Sequence, residues 1–183
     1  MISKTILNAK QMQKTLERLA SQVWEHTGET DNLALIGIQR RGVDLASRLK
    51  KMLEDKTGQE VLLGKLDINL YRDDWTNMTS TPVISSTKIN FSVEGKNLIL
   101  VDDVLYTGRT VRSALDALLD FGRPGCIKLL VLIDRGLREL PIHADFVGKK
   151  INTSPQEQVD VLLRERDDED RVVLKESDIS DPD

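Results

Sequence analysis

The stretch Val101-Asp102-Asp103-Val104-Leu105-Tyr106-Thr107-Gly108-Arg109-Thr110 sets two adjacent carboxylates ahead of hydroxyl side chains and a glycine. The apolar run Asn97 to Val101 before it reads as a buried strand, and Val111, Ala114, Leu115 and Leu118 behind it recur at helical spacing. A helix therefore opens near Thr110. The first N–H groups of a helix have no intrahelical partners and carry about half a positive charge between them, which suits a phosphate. Thr107 and Thr110 add hydroxyl donors, and Gly108 lets the backbone close on the anion. Carboxylates do not suit a phosphate: at about 4 Å the repulsion is roughly 4 kcal/mol for an effective dielectric of about 20. Something must lie between them. Ribose hydroxyls donate to carboxylates, and Mg²⁺ coordinates a carboxylate and a pyrophosphate together. The pattern fits a loop that holds a phosphorylated sugar, with a plain helix cap followed by a turn as the alternative.

Two further strand ends carry chemistry. Leu33-Ala34-Leu35-Ile36-Gly37-Ile38 is short and unalternating, as in a strand buried on both faces, and it delivers Gln39-Arg40-Arg41-Gly42. Val43, Ala46, Leu49, Met52 and Leu53 then form a helical stripe, so two guanidiniums sit at a helix start. Cations are mildly unfavourable there, and that misplacement argues for a bound anion. The third strand, Ile127 to Ile133, ends in Asp134-Arg135-Gly136. Strands alternating with helices imply a parallel sheet covered on both faces, with its site at the carboxyl ends of the strands. Ahead of these units, Met12, Leu16, Leu19, Ala20 and Val23 mark a helix from about Ala9 to His26, with Asn8 and Gln11 as its N-cap pair. The segment Tyr71 to Thr87 is polar and lacks helical period, which predicts a long flexible loop of the kind that is usually functional. From about Arg166 to Asp183 the chain reads as an acidic tail.

Composition narrows the remaining classes. The 183 residues suit one domain with a core of its own, and the single cysteine, Cys126, with only His26 and His143 beside it, supports neither a disulfide nor an ordinary zinc site. No apolar run reaches the eighteen or so residues of a membrane span, and the first residues lack the apolar stretch of a signal peptide. A cytoplasmic protein is expected. The net charge of -4 does not mark a dedicated nucleic-acid binder. No Walker-A loop, dinucleotide glycine fingerprint or nucleophile-histidine motif is present.

The ten residues from Val101 to Thr110 resemble the 5-phosphoribosyl pyrophosphate (PRPP) motif of the type I phosphoribosyltransferases. Leu66-Asp67-Ile68-Asn69-Leu70-Tyr71-Arg72-Asp73-Asp74, Gly122-Arg123-Pro124 and Asp134-Arg135-Gly136-Leu137-Arg138-Glu139-Leu140-Pro141 occur with it in order. Together they resemble the bifunctional pyrimidine-operon attenuators that are also uracil phosphoribosyltransferases, from near residue 8 to about Glu165. The resemblance implies an α/β type I phosphoribosyltransferase fold, a parallel-core sheet flanked by helices with a small hood and a flexible active-site loop. It implies uracil plus PRPP giving UMP and pyrophosphate with Mg²⁺, binding of pyrimidine-operon mRNA by the UMP-bound protein, and a homodimer or higher homo-oligomer.

By the same resemblance, Asp102 and Asp103 contact the ribose hydroxyls, and Thr107, Gly108, Arg109 and Thr110 cradle the 5-phosphate, with Val104, Leu105 and Tyr106 lining the same loop. Arg40 and Arg41 bind pyrophosphate, in a loop whose backbone is often strained in the family, and Arg72 approaches it from the flexible segment. Arg135 and Val159 serve the base. Lys10, Lys14, Arg18 and Arg138 are the candidate RNA contacts. Members commonly carry Thr at the position of Arg40, His at Leu137 and Arg at His143; the last exchange removes a permanent cation. The rivals are a salvage enzyme for another base, which usually places a lysine at the third strand end, and a nucleotide-sensing RNA-binding regulator with little turnover. A PRPP synthase normally needs two such domains, and this chain is too short for that.

Overall fold

The computed structural model describes residues 3–28, 32–71 and 87–176. The predicted flexible loop, Arg72 included, lies outside them apart from its ends at Tyr71 and Thr87.

Helix α1 spans Ala9–Thr27 and starts on a full capping box, in which the Asn8 side chain accepts from Gln11 N and the Gln11 side chain accepts from Asn8 N. Its buried residues are Met12, Leu16, Leu19, Ala20 and Val23, the stripe expected from spacing. Strand β2 (Leu33–Ile38) follows, buried throughout, and passes into α2 (Arg41–Thr57). Strand β3 (Leu62–Leu66), β4 (Asn97–Leu105), α3 (Arg109–Leu119), β5 (Cys126–Asp134) and β6 (Phe146–Lys150) complete a five-stranded sheet of order β3-β2-β4-β5-β6, parallel at every pairing. Side chains alternate between two cores. Leu33 and Leu35 of β2 and Leu130 and Leu132 of β5 pack with α1 and α2 on one face. Ala34, Ile36, Leu129 and Val131 pack with α3 on the other.

A second, antiparallel sheet of order β1-β8-β7 is built from Ser3–Leu7, Arg171–Glu176 and Glu157–Leu162. This is the hood. Leu7, Val159, Val161 and Val172 join the α1 and α2 core, so the hood is fixed to the sheet by apolar packing.

Two expectations are corrected. Residues 166–176 are not a tail: Arg166 and Asp167 end the short helix α4 (Arg164–Asp167), and β8 is the central strand of the hood. Its Val172 and Val173 are buried, and apolar burial outweighs the acidic composition around them. Strand β4 also runs four residues beyond Val101. Asp102 pairs with Val131, Val104 with Ile133 and Leu105 with Asp134, so the acidic pair lies within a strand and not in a loop after it. Carboxylates end an apolar run in sequence, but the backbone ladder continues through them. Among the described residues, no helix is long and apolar enough to cross a membrane.

Candidate active site

The site sits where β2 and β4 end, between the first turns of α2 and α3. Unlike α1, neither helix has a side-chain cap: its N-cap residue, Arg40 for α2 and Gly108 for α3, makes no capping hydrogen bond. Two helix starts that receive no side-chain cap from their N-cap residues therefore flank one acidic pair, an arrangement that suits an anionic sugar phosphate. Gly108 takes φ 94°, a left-handed conformation that glycine adopts without steric cost. Thr107 Oγ1 accepts from Arg109 N at 3.3 Å, which shapes the turn.

Gly42 sets how closely the two units approach. A Cβ there would lie 2.4 Å from the Val101 carbonyl oxygen and 3.2 Å from Asp102 Cα. Only a bare backbone allows α2 to press its first turn against the end of β4. Gly42→Ala is expected to cost about 1–3 kcal/mol of stability through backbone displacement. The same shift would move the Arg40-Arg41-Gly42 loop relative to the acidic pair and weaken binding of the PRPP expected between them. Denaturant unfolding and calorimetric titration with PRPP check both; a variant of unchanged stability and affinity would show that the approach tolerates a methyl group.

Asp102 is 6% exposed. Burial first, and the neighbouring Asp103 charge second, push its carboxyl well above the usual carboxylate range. The two acids are braced locally, Asp103 N donating to Asp102 Oδ1 and Val104 N to Asp103 Oδ1, both at 2.9 Å. Such a pair favours partners that bring protons or positive charge. Among the described residues no cluster of three His, Cys, Asp or Glu side chains could hold a metal by itself. That donor set suits Mg²⁺, which binds through one or two carboxylates and takes its other ligands from substrate phosphates and water. Asp102 and Asp103 are the residues that would hold it.

The other predicted residues divide sharply. The Arg40 side chain is exposed and makes no hydrogen bond or ion pair among the described residues, while its carbonyl accepts from Val43 N, and the Gln39–Arg40 peptide bond is cis. The Arg41 guanidinium instead meets Asp167, with Nη2 at 3.0 and 3.2 Å from the two carboxylate oxygens. Arg109 pairs with Glu139 at 2.6 Å on the surface. Arg135 is 6% exposed and its side chain is engaged through two nitrogens and its face: Nε donates to Thr153 Oγ1, Nη2 to the Ser154 and Glu157 carbonyls, and the guanidinium lies 4.0 Å from the Tyr106 ring centroid. Its backbone is engaged too, its N–H on Leu105 O and its carbonyl receiving the Thr153 hydroxyl. This arginine clamps the end of β5, the 151–156 connection and Tyr106 together. Val159 lies in the hood, paired with Leu174 and buried.

Arg138 belongs to the same framework. Its guanidinium donates to the carbonyls of Ile142, Leu105, Tyr106 and Gly136 and to Asp134 Oδ1, with side-chain exposures of 16% for Arg138 and 15% for Asp134 in that ion pair. All three of its guanidinium nitrogens donate to protein acceptors. Lys10, Lys14 and Arg18 are exposed on α1 at intervals of four, and Arg18 also donates to the Val147 and Gly148 carbonyls of β6. Sequence reasoning missed Asp167, Glu139 and Thr153. No local pattern marks them, because each acts on a partner at least 18 residues away.

With that geometry in view, the family model described as phosphoribosyl transferase domain matches residues 3–165. "Bifunctional protein PyrR" of Pelotomaculum thermopropionicum is 54% identical over 94% of this chain and 95% of the relative. The chain belongs to the phosphoribosyl transferase family, among the bifunctional PyrR proteins. The Thermus thermophilus protein of the same name is 52% identical over 93% of this chain and 94% of its own length. Among solved structures, a hypoxanthine phosphoribosyltransferase from Staphylococcus aureus superposes with a TM-score of 0.70 at 22% identity, over 96% of this chain and 93% of that one. A hypoxanthine-guanine phosphoribosyltransferase from Bacillus anthracis gives 0.70 at 20% identity, over 96% and 99%. At these identities the two structures speak to the fold alone.

Proposed function

We propose that this PyrR-family phosphoribosyltransferase converts uracil and PRPP to UMP and pyrophosphate, and that its UMP-bound form binds pyrimidine-operon mRNA to favour transcription termination. The observation that carries the enzymatic half is the Asp102-Asp103 pair, with Asp102 buried, set between two helix starts whose N-cap residues provide no side-chain cap. The α3 start, with Thr107 and Thr110, receives the 5-phosphate, and the acids accept from the ribose hydroxyls. The Arg40-Arg41-Gly42 loop takes the pyrophosphate, with Arg72, which lies outside the described residues, as a further cation for it by the family resemblance.

Breaking the C1 to pyrophosphate bond builds positive charge on the sugar and negative charge on the leaving group. No strong nucleophile is needed; positioning and fixed charge carry the step. Bound Mg²⁺ would supply charge neutralisation of the pyrophosphate. The Asp103 carboxylate, on the same strand as Asp102, offsets the developing charge on the ribose. The uracil contacts come largely from backbone groups at 134–137 and in the later segment near Val159. Arg135 acts by fixing these segments. A cytoplasmic homo-oligomer is the setting this activity implies.

The RNA surface is the exposed Lys10, Lys14 and Arg18 stripe of α1. A lysine on a phosphate acts equally on all sequences, so Lys14→Ala should weaken RNA binding and reduce the salt slope by about 1. Filter binding to a pyrimidine-leader RNA across a salt series, with and without UMP, measures this; an unchanged slope removes Lys14 from the interface. UMP formation from uracil, PRPP and Mg²⁺, followed by chromatography, tests the enzymatic half directly.

A further inference from the structure

Both arginines of the Arg40-Arg41-Gly42 loop are cations beside the same helix start, yet their surroundings differ. The Arg40 guanidinium stands exposed and without a partner among the described residues, whereas Arg41 is held at both Asp167 oxygens. Asp167 is itself fixed: its Oδ2 also accepts from Leu163 N at 2.9 Å, and its N–H donates to Leu163 O, with Leu163 fully buried. The backbone hydrogen bond from Leu163, then the Arg41 guanidinium, hold the Asp167 carboxyl below the usual carboxylate range. Asp167 is therefore a charged anchor at neutral pH.

The contact is one of three along a single face of α2. Asp44, one turn on, pairs with Arg166. Arg48, a further turn on, pairs with Glu165 and Asp170 at 2.6 Å each. Residues 41, 44 and 48 recur at helical spacing, and their partners all fall within 165–170. The segment between β7 and β8 is thus strapped along α2 as far as its first residue.

We propose that Asp167 is a positioning residue for the pyrophosphate loop: through Arg41 it fixes the start of α2, and Arg40 is the loop's anion-binding side chain. This rests on the phosphoribosyltransferase reading of the site. The Asp167 carboxylate holds Arg41 through Nη2, so the strap fixes the orientation of this guanidinium and, with it, the backbone from which Arg40 projects. The 163–170 segment, distant in sequence from every motif residue, thereby tunes PRPP affinity.

The experiment is steady-state kinetics of the full chain carrying Asp167→Asn, Asp167→Glu or Arg40→Ala, with thermal unfolding and calorimetric binding of Mg²⁺-PRPP on the same preparations. Losing a charge-assisted hydrogen bond of this kind corresponds to about a tenfold change or more. Asp167→Asn should raise the KM for PRPP about tenfold, leaving kcat and the KM for uracil within about twofold. Asp167→Glu should recover most of that loss, because the charge is retained, and Arg40→Ala should raise the KM for PRPP at unchanged melting temperature. An unchanged KM for PRPP in Asp167→Asn would overturn the proposal. So would parallel rises in both KM values with a lowered melting temperature, which would make Asp167 a general structural residue. If the unaltered protein turns over no base, the enzymatic reading fails by itself; PRPP affinity by calorimetry, weakened or unchanged in Asp167→Asn, then decides the positioning role separately.

Discussion

Asp102→Asn combined with Asp103→Asn should lower UMP synthesis by at least about 10²–10³-fold, the loss typical of removing fixed charge from a reacting centre, while the protein stays folded and becomes more stable at neutral pH. The two halves of that result have one cause. Burial and the Asp103 charge raise the Asp102 carboxyl above its ordinary range. A carboxyl raised in the folded state contributes stability that is present below its unfolded pKa of about 3.9 and lost as pH rises through the folded value. Well above the unfolded pKa, as at pH 7, the buried carboxyl at position 102 is therefore a net cost to the empty protein. Asn removes the charge and keeps an oxygen that accepts from Asp103 N. Asp102→Asn alone should raise the melting temperature at pH 7 by about 2–4 °C for each kcal/mol recovered, and by less at pH 4. Substrate should have the opposite proton linkage, with PRPP and Mg²⁺ favouring the anion and releasing a proton on binding. Turnover near normal in the folded double variant would remove the acids from the site, and a lower melting temperature at pH 7 would remove the burial argument.

Arg138→Met should be the most destabilising change in the framework around the site, at about 3–5 kcal/mol. It strips Asp134 of its cation where both side chains are largely buried, and it leaves the carbonyls of Tyr106 and Ile142 without this donor. The Tyr106 carbonyl precedes the turn at Thr107 and Gly108, so the phosphate cradle should loosen with the fold. Equilibrium urea unfolding gives the stability. If Arg138 instead served RNA as an exposed phosphate contact, stability would hold and only the salt slope of RNA binding would fall.

How far these features were legible in the sequence depended on distance along the chain. The α1 stripe and its Asn8 and Gln11 box are local, and the structure reproduces them with one residue added at the end. The β4, turn and α3 unit was legible because Asp102, Gly108 and Val111 lie within ten residues. The hood strands were not legible. Ser3–Leu7 pairs with Arg171–Glu176 across more than 160 residues, and neither stretch holds a long apolar run. Glu176 and Lys175 flank Val172 and Val173, so composition suggested a solvated tail where two buried valines make a central strand. The framework contacts of Arg135 and Arg138 were not legible for a related reason. An arginine at a strand end suggests a ligand, and only the acceptor groups brought in from Thr153, Ser154, Tyr106 and Ile142 reveal that these two hold the site's walls together.

The most direct measurement is pyrophosphate release from PRPP and Mg²⁺ in the presence of uracil, hypoxanthine, guanine or no base. Release that requires uracil, with the purines no better than the sample lacking a base, is the predicted result. Release driven by hypoxanthine or guanine, or by no base at all while UMP still strengthens binding to leader RNA, would contradict the account and make the Asp102-Asp103 loop the pocket of another salvage enzyme or of a nucleotide sensor.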